Sequence, residues 1–256
     1  MRIVVCVKHV PDVQSDRALD DDGRTVRGED DVLGELDENA VEAAVSLVEA
    51  HGGEVVALTM GPEGAADAVR RALQMGADRA VHVTDDALAG ADVVATARVL
   101  GAAIDAIAVD GPVDLVVTAM ASSDGLTAML PTALATVLDL PQLTLASELT
   151  VEGSLVRTRR DIGDAVEVVE ALLPALVSVT DQANEPRYPN FRAIMGARKK
   201  KVVTWSLADL AVDAPTAGTT VVSASARPAR EAGQIVTDSG DGGTALAAFL
   251  VDAKLV

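Results

Sequence analysis

Aromatic side chains are scarce in this 256-residue chain: it has two Phe, one Tyr and one Trp, although 49% of its residues are hydrophobic. The core must therefore consist mainly of Ala, Val and Leu, as in layered proteins built from helices and sheets. So few rings cannot enclose a planar cofactor by stacking. Such a cofactor would have to rely on aliphatic contacts or on another subunit.

Cysteine and histidine are also rare. The one cysteine, Cys6, can form no disulfide within the chain, which favours a reducing compartment. Cys6 lies in an apolar run and is interpreted as a core residue rather than a nucleophile. His9, His51 and His82 lack the spacing of metal ligands, so we expect no metal site. No nucleophilic or acid–base constellation is evident, and we predict no catalytic residues.

Basic residues are fewer than acidic ones: the chain has 21 Lys and Arg and 39 Asp and Glu, for a net charge of −18. This balance argues against a nucleic-acid binder, which needs dense Lys and Arg to neutralise phosphates. Every apolar run is interrupted before the roughly 18 residues that a membrane span requires. The first residues lack the pattern of a secretory signal. We therefore expect a cytoplasmic protein that is not embedded in a membrane and whose partners are proteins or small ligands.

Apolar runs of strand length alternate with apolar residues at helical spacing. Four helices are predicted: one over residues 40–48, a second that ends near Gly76, a third from the capping residue Asp92 to residue 107, and a fourth over 126–138. The predicted strands are residues 3–7, 55–58, 80–83, 115–119 and 175–179. This alternation predicts an open, doubly wound α/β fold with a mostly parallel sheet, a Rossmann-like nucleotide-binding domain over residues 1–184.

Three segments interrupt the alternation. Residues 12–37, rich in Asp and Gly, form a long loop with a predicted hairpin at residues 20–23. A second hairpin is predicted at residues 152–153. Residues 185–256, with one strand-like piece at 201–207 and a final helix at 244–255, are predicted to be an extended arm that lies on a partner.

Ligands of open α/β sheets bind beyond the carboxyl ends of the strands, where the strand order reverses. Three loops have this position: residues 8–12, 60–64 and 119–129. The third leads into a predicted helix whose free N–H groups suit a phosphate. It contains neither a Walker A nor a Gly-x-Gly-x-x-Gly pattern, so an ordinary turn capped by Asp or Ser remains an alternative. The basic run at residues 198–201 is either a dock for an acidic surface or a solvated segment.

Several segments together resemble the electron transfer flavoprotein β subunit. They are VVCVKHVPD at residues 4–12, ALQMGADRA at 72–80, and NEPRY at 184–188 followed by RKKK at 198–201. Residues 167–174 and 227–233 extend the resemblance to nearly the full length. It implies a heterodimer whose α subunit holds FAD, while the β subunit holds a structural AMP. It also implies electron transfer from acyl-CoA and related dehydrogenases to a membrane quinone oxidoreductase.

Two alternatives stay open. One is the β subunit of a flavin-bifurcating relative with a second FAD in place of AMP. The other is a stand-alone adenine-nucleotide-binding regulatory protein, which would have no use for a long arm.

The resemblance also implies site residues. Val13 and Leu36 would lie near FAD. AMP would contact Cys6, Gly34, Glu35, Leu36, Asp37, Met60, Ala119, Met120, Ala121, Ser122, Ser123, Asp124, Gly125, Leu126, Thr127, Ala128, Met129 and Leu130. Where many relatives have Gln and then Asn-Gln-Thr, this chain has Ala121 and the residues 128–130, so polar contacts are missing. Ser122, Ser123, Asp124, Thr127 and backbone N–H groups are expected to replace them.

The family's recognition loop carries an apolar anchor for the dehydrogenase, which falls at Phe191 in this chain, where many relatives have Leu. An exposed aromatic can supply much of an interface's energy. The alternative is that Phe191 folds back on its own arm. The partner-binding set is Phe191, Ile194, Met195, Arg198, Lys199, Lys200 and Lys201.

Overall fold

The computed structural model describes residues 1–15, 18–225, 227–230, 233 and 235–256. Parts of the predicted 12–37 loop (Asp16 and Arg17) and of the 227–233 resemblance (Glu231 and Ala232) lie outside the described residues. The strands are β1 (Arg2–Cys6), β2 (His9–Pro11), β3 (Asp31–Leu33), β4 (Glu54–Met60), β5 (Arg79–Val83), β6 (Leu115–Ala119), β7 (Gln142–Ala146), β8 (Glu148–Glu152), β9 (Leu155–Asp161), β10 (Val166–Leu172), β11 (Ala175–Val179) and β12 (Val202–Trp205). The helices are α1 (Glu35–His51), α2 (Ala66–Met75), α3 (Val93–Ala108), α4 (Leu130–Val137), α5 (Phe191–Ala197) and α6 (Gly242–Asp252).

The central sheet has the strand order β12-β5-β4-β1-β6-β11-β7, and all its pairs are parallel. Helices α1 and α2 cover one face, with Val41 and Leu73 in its core, and α3 and α4 cover the other, with Leu100 and Leu134. The inner strands are mostly apolar because both of their faces are buried, with Thr59, Thr118 and Ser178 as buried polar exceptions. The predicted α/β fold and all five predicted strands are confirmed.

One predicted helix start is confirmed by its cap and another is corrected. Asp92 caps α3 as predicted, and its carboxylate accepts a hydrogen bond from the Ala95 N–H at 2.9 Å. The helix predicted from residue 126 begins only at Leu130. Pro131 lacks an N–H and fits only the first turn of a helix, and Leu126 and Ala128 have left-handed φ values of 49° and 53°. Residues 120–129 are therefore a loop.

Both predicted hairpin turns are present. Leu19 and Thr25 form an antiparallel bridge around the first turn, and β8 pairs with β9 around the second. The sequence analysis did not predict the ribbon of β2 and β3, the strands β7 and β10, or the short helix α5. β10 extends the β8–β9 hairpin into a three-stranded sheet.

The chain divides into two compact units, residues 1–224 and 225–256. The first unit reaches so far because β12, inside the predicted arm, pairs with β5 at the edge of the central sheet. In the second unit the predicted final helix is present as α6. None of the α6 side chains, all of which the structure describes, is buried. No helix in the described ranges has the length and apolar character needed to span a membrane.

Candidate functional site

The sheet order brings the predicted ligand loops to one edge. β4 and β6 lie on either side of β1, and the three strands end at Met60, Ala119 and Cys6. The start of α1 joins them, because the Lys8 N–H donates to Asp37 Oδ2 at 2.8 Å and the Gly34 N–H donates to the Lys8 carbonyl at 3.1 Å. Residues far apart in sequence thus form one site.

Asp37 is a buried carboxyl group at the centre of this edge. Burial raises its pKa to about 7, against the lowering effect of the Lys8 N–H and charge, and the charge of Asp124 raises it further. Gly34 permits the close approach, since a Cβ there would lie 2.9 Å from Asp37 Oδ2. Burial, with the Asp37 charge, raises the pKa of the Cys6 thiol to about 12. Cys6 therefore stays protonated, in agreement with a core role.

Asp124 is held by two cations. Lys8 Nζ lies 2.9 Å from its Oδ1, and Arg27 Nη2 lies 3.5 Å from its Oδ2. Burial favours the protonated carboxyl, but Lys8, a hydrogen bond from Ser122 and Arg27 outweigh it and lower the pKa of Asp124. Arg27 also lies 3.7 Å from Asp31 in β3, so it joins the β2–β3 ribbon to the 119–129 loop. The sequence analysis missed Arg27, and its only signal was a cation within an acidic loop.

The end of the 119–129 loop is open and uncapped. Residues 125–129 are exposed, and among the described residues no side chain caps the start of α4. The capped-turn alternative is therefore wrong, since Asp124 pairs with Lys8 and Arg27 instead. An uncapped helix start, in a loop whose Asp124 pairs with two cations, fits a phosphate group. The polar side chains that many relatives have at positions 121 and 128–130 are missing here. The fit to a phosphate therefore relies on backbone N–H groups, Lys8 and Arg27.

The segment around α5 presents apolar and basic side chains. Phe191 is 78% exposed, so it does not fold back on its own segment. Asn190 caps α5, and its Oδ1 accepts from the Ala193 N–H at 3.0 Å. Met195, Arg198, Lys199 and Lys201 are exposed, whereas Ile194 is half-buried. Lys200 is occupied within the chain, because its Nζ donates to the Ala77 carbonyl at 2.6 Å.

Residues 25–210 match the sequence profile described as the electron transfer flavoprotein domain. Electron transfer flavoprotein subunit beta of Mycobacterium tuberculosis is 41% identical, with 99% of each chain covered. The chain belongs to the electron transfer flavoprotein β-subunit family. The subunit of that name in Thermoanaerobacterium thermosaccharolyticum is 36% identical, covering 93% of this chain and 92% of its own. Caffeyl-CoA reductase-Etf complex subunit CarD of Acetobacterium woodii is 33% identical, with 93% and 92% covered.

The resemblance found in the sequence is thus confirmed. Electron transfer flavoprotein β subunits are electron carrier subunits rather than enzymes, and their name implies a flavin and an α subunit. Among the described residues no group of His, Cys, Asp and Glu could hold a metal ion.

Proposed function

We propose that this chain is the β subunit of a heterodimeric electron transfer flavoprotein that accepts electrons from acyl-CoA and related dehydrogenases and passes them to a membrane quinone oxidoreductase. The observation that carries the proposal is the exposed Phe191 on α5. Six basic residues and no acidic one lie between Glu185 and Asp209, in a chain of net charge −18. An apolar anchor within a local basic surface suits a partner whose apolar pocket has an acidic rim.

We propose further that this chain binds AMP structurally at the edge formed by Cys6, residues 34–37, Met60 and residues 119–130. The phosphate would be held by the N–H groups at the start of α4 and by Lys8 and Arg27. Because these cations also hold Asp124, bound AMP would order the 119–129 loop against the β2–β3 ribbon. AMP carries no electrons in this role.

FAD, held mainly by the α subunit, supplies the electron storage of the heterodimer when bound. In this chain, the exposed Val13 and the half-buried Leu36 would cover part of the flavin. With so few aromatic residues, the contribution of this chain is to exclude water by aliphatic contact. We place the heterodimer in the cytoplasm, in keeping with the single buried thiol.

A second candidate is the β subunit of a bifurcating flavoprotein with a second FAD in place of AMP. The relative named as part of a caffeyl-CoA reductase complex favours it. So does the 119–130 loop, which offers Ala121 and residues 128–130 where polar side chains would secure AMP. Against it, the 119–129 loop contains one glycine, Gly125, and no arginine for a second pyrophosphate.

The test is an absorption spectrum with nucleotide extraction, on this chain alone and on the chain co-expressed with the α subunit. We expect a colourless single chain and a yellow heterodimer with one FAD and one AMP. Two flavins and no AMP would establish the bifurcating function instead. A stable single chain that binds adenine nucleotide and no α subunit would contradict both and favour a regulatory protein.

A further inference from the structure

Arg187 fastens the start of the α5 segment to helix α1. Its guanidinium donates to both carboxylates: Nε and Nη2 lie 2.7 and 2.9 Å from the two oxygens of Glu42, and Nη1 and Nη2 lie 2.6 and 2.9 Å from those of Glu49. Its backbone N–H also donates to Glu42 at 3.0 Å. The fork of Arg holds two carboxylates in one plane, which a lysine cannot do.

A reciprocal amide pair strengthens this attachment. Asn39 Nδ2 donates to the Asn184 carbonyl at 2.9 Å, and Asn184 Nδ2 donates to the Asn39 carbonyl at 3.0 Å. Glu42 itself is buried, so its charge needs a partner. The hydrogen bonds of Arg187 lower the pKa of Glu42 in spite of its burial. The segment at residues 184–187 therefore has a single position on α1.

The far end of the segment is fastened to the end of α2. Lys200 Nζ donates to the Ala77 carbonyl, just beyond α2. Before α5, at the near end, the Arg71 guanidinium of α2 lies 5.5 Å from the centre of the Tyr188 ring. Between these attachments, α5 buries only Ala197. α5 packs against α2 through Ala197, which belongs to the apolar core, and a groove of about 310 Å³ lies between the C-terminal turn of α2 and the rest of the segment. The buried apolar contact of α5 is thus small, and polar attachments at both ends of the segment add to it.

We propose that Arg187, together with Lys200, is a positioning residue that fixes the orientation of α5 and thereby presents Phe191 to the partner dehydrogenase. This inference rests on the function proposed above. Lys200 differs in role from its basic neighbours. Arg198, Lys199 and Lys201 face the partner, whereas Lys200 holds the segment in place. A loosened α5 would present Phe191 in the docking orientation only part of the time, which lowers the apparent affinity by that fraction.

The experiment uses the heterodimer with its α subunit and measures flavin reduction by an acyl-CoA dehydrogenase at increasing flavoprotein concentration. The variants are Arg187→Lys, Phe191→Ala and the double variant. Arg157→Lys is the matched control, because Arg157 makes an Arg–Glu pair with Glu170 at 2.6 Å in the antiparallel sheet, away from α5. FAD content and thermal melting are recorded for each. Lys200→Met replaces Arg187→Lys if that variant fails to assemble.

We expect Arg187→Lys to raise the KM for the flavoprotein about tenfold with kcat within about twofold, since the orientation of α5 governs docking rather than electron transfer. Arg157→Lys should match the wild type. In the Phe191→Ala background, Arg187→Lys should add less than about a twofold effect, because it acts through the missing ring. Arg187→Lys lowers the melting temperature in either case, because Glu42 is buried, so the KM values decide: a purely structural role would multiply the two KM effects.

Two results would overturn the inference alone: a wild-type KM for Arg187→Lys while Phe191→Ala raises it, or KM effects that multiply in the double variant. A wild-type KM for Phe191→Ala would show that Phe191 does not dock on the dehydrogenase. That result would remove the main support for the proposed function and would refute this inference as well.

Discussion

Removing the ring of Phe191 should weaken docking without weakening the fold. The side chain is 78% exposed, so Phe191→Ala removes little that the isolated chain buries. Its melting temperature should stay within about 2 °C of the wild type, as for surface substitutions of less than about 0.5 kcal/mol. FAD content should also be unchanged.

The expected loss in docking follows from the area of the ring. A buried Phe removes about 150 Å² or more from water, and 78% of this side chain remains to be covered. At about 25 cal/mol per Å², that area corresponds to about 3 kcal/mol. Ala keeps the Cβ, and part of the gain is spent on ordering the interface, so we expect about 2 kcal/mol, or roughly thirtyfold in KM.

The assay is dehydrogenase-driven reduction of the flavin at subsaturating dehydrogenase. Val109→Ala is a suitable control, because Val109 is also a highly exposed apolar residue and lies at the end of α3. Equal rates for Phe191→Ala and wild type would show that the ring does not enter a partner. Equal losses for both variants would show a general effect of apolar surface.

Three further predictions concern the fold and the nucleotide site. Because burial raises the pKa of Asp37 to about 7 in the folded chain, from an ordinary value of 3.8, its contribution to stability is lost as pH rises from about 4 to 7. The difference in melting temperature between Asp37→Asn and the wild type should therefore shift in favour of the variant between pH 4.5 and pH 8. A difference that is the same at both pH values would contradict this. Lys8→Met leaves the buried Asp124 with Arg27 at 3.5 Å as its remaining cation, and should cost about 1–2 kcal/mol in urea unfolding and lower the AMP content. Gly76→Ala should cost about 1–3 kcal/mol, because Gly76 has a φ of 131° and a Cβ would lie 3.0 Å from Val45 Cγ1; unchanged unfolding would contradict it.

Local sequence was sufficient wherever a neighbouring residue decides the structure. Residues 115–119 and 175–179 are mostly apolar runs with no charged residue, so their burial on both faces could be predicted, and Asp92 marks the start of α3 by its own side chain. The start of α4 was misplaced because apolar spacing continues through residues 126–129, where Leu126 and Ala128 have left-handed φ values. Pro131 was the local signal for the true start, and the sequence analysis did not use it.

The sequence by itself determined the alternation of strands and helices, the family, and the basic composition of the segment around Phe191, since these depend on residue type and spacing; that Phe191 is exposed was decided by the structure. Only the tertiary structure decided which distant residues meet. Arg187 and Glu42 are separated by 145 positions, Lys8 and Asp124 by 116, and β12 joins the sheet beside β5. Periodicity reports which face of an element is buried, but not which element covers it. The strand order and the charged pairs that it brings together therefore had to come from the folded chain.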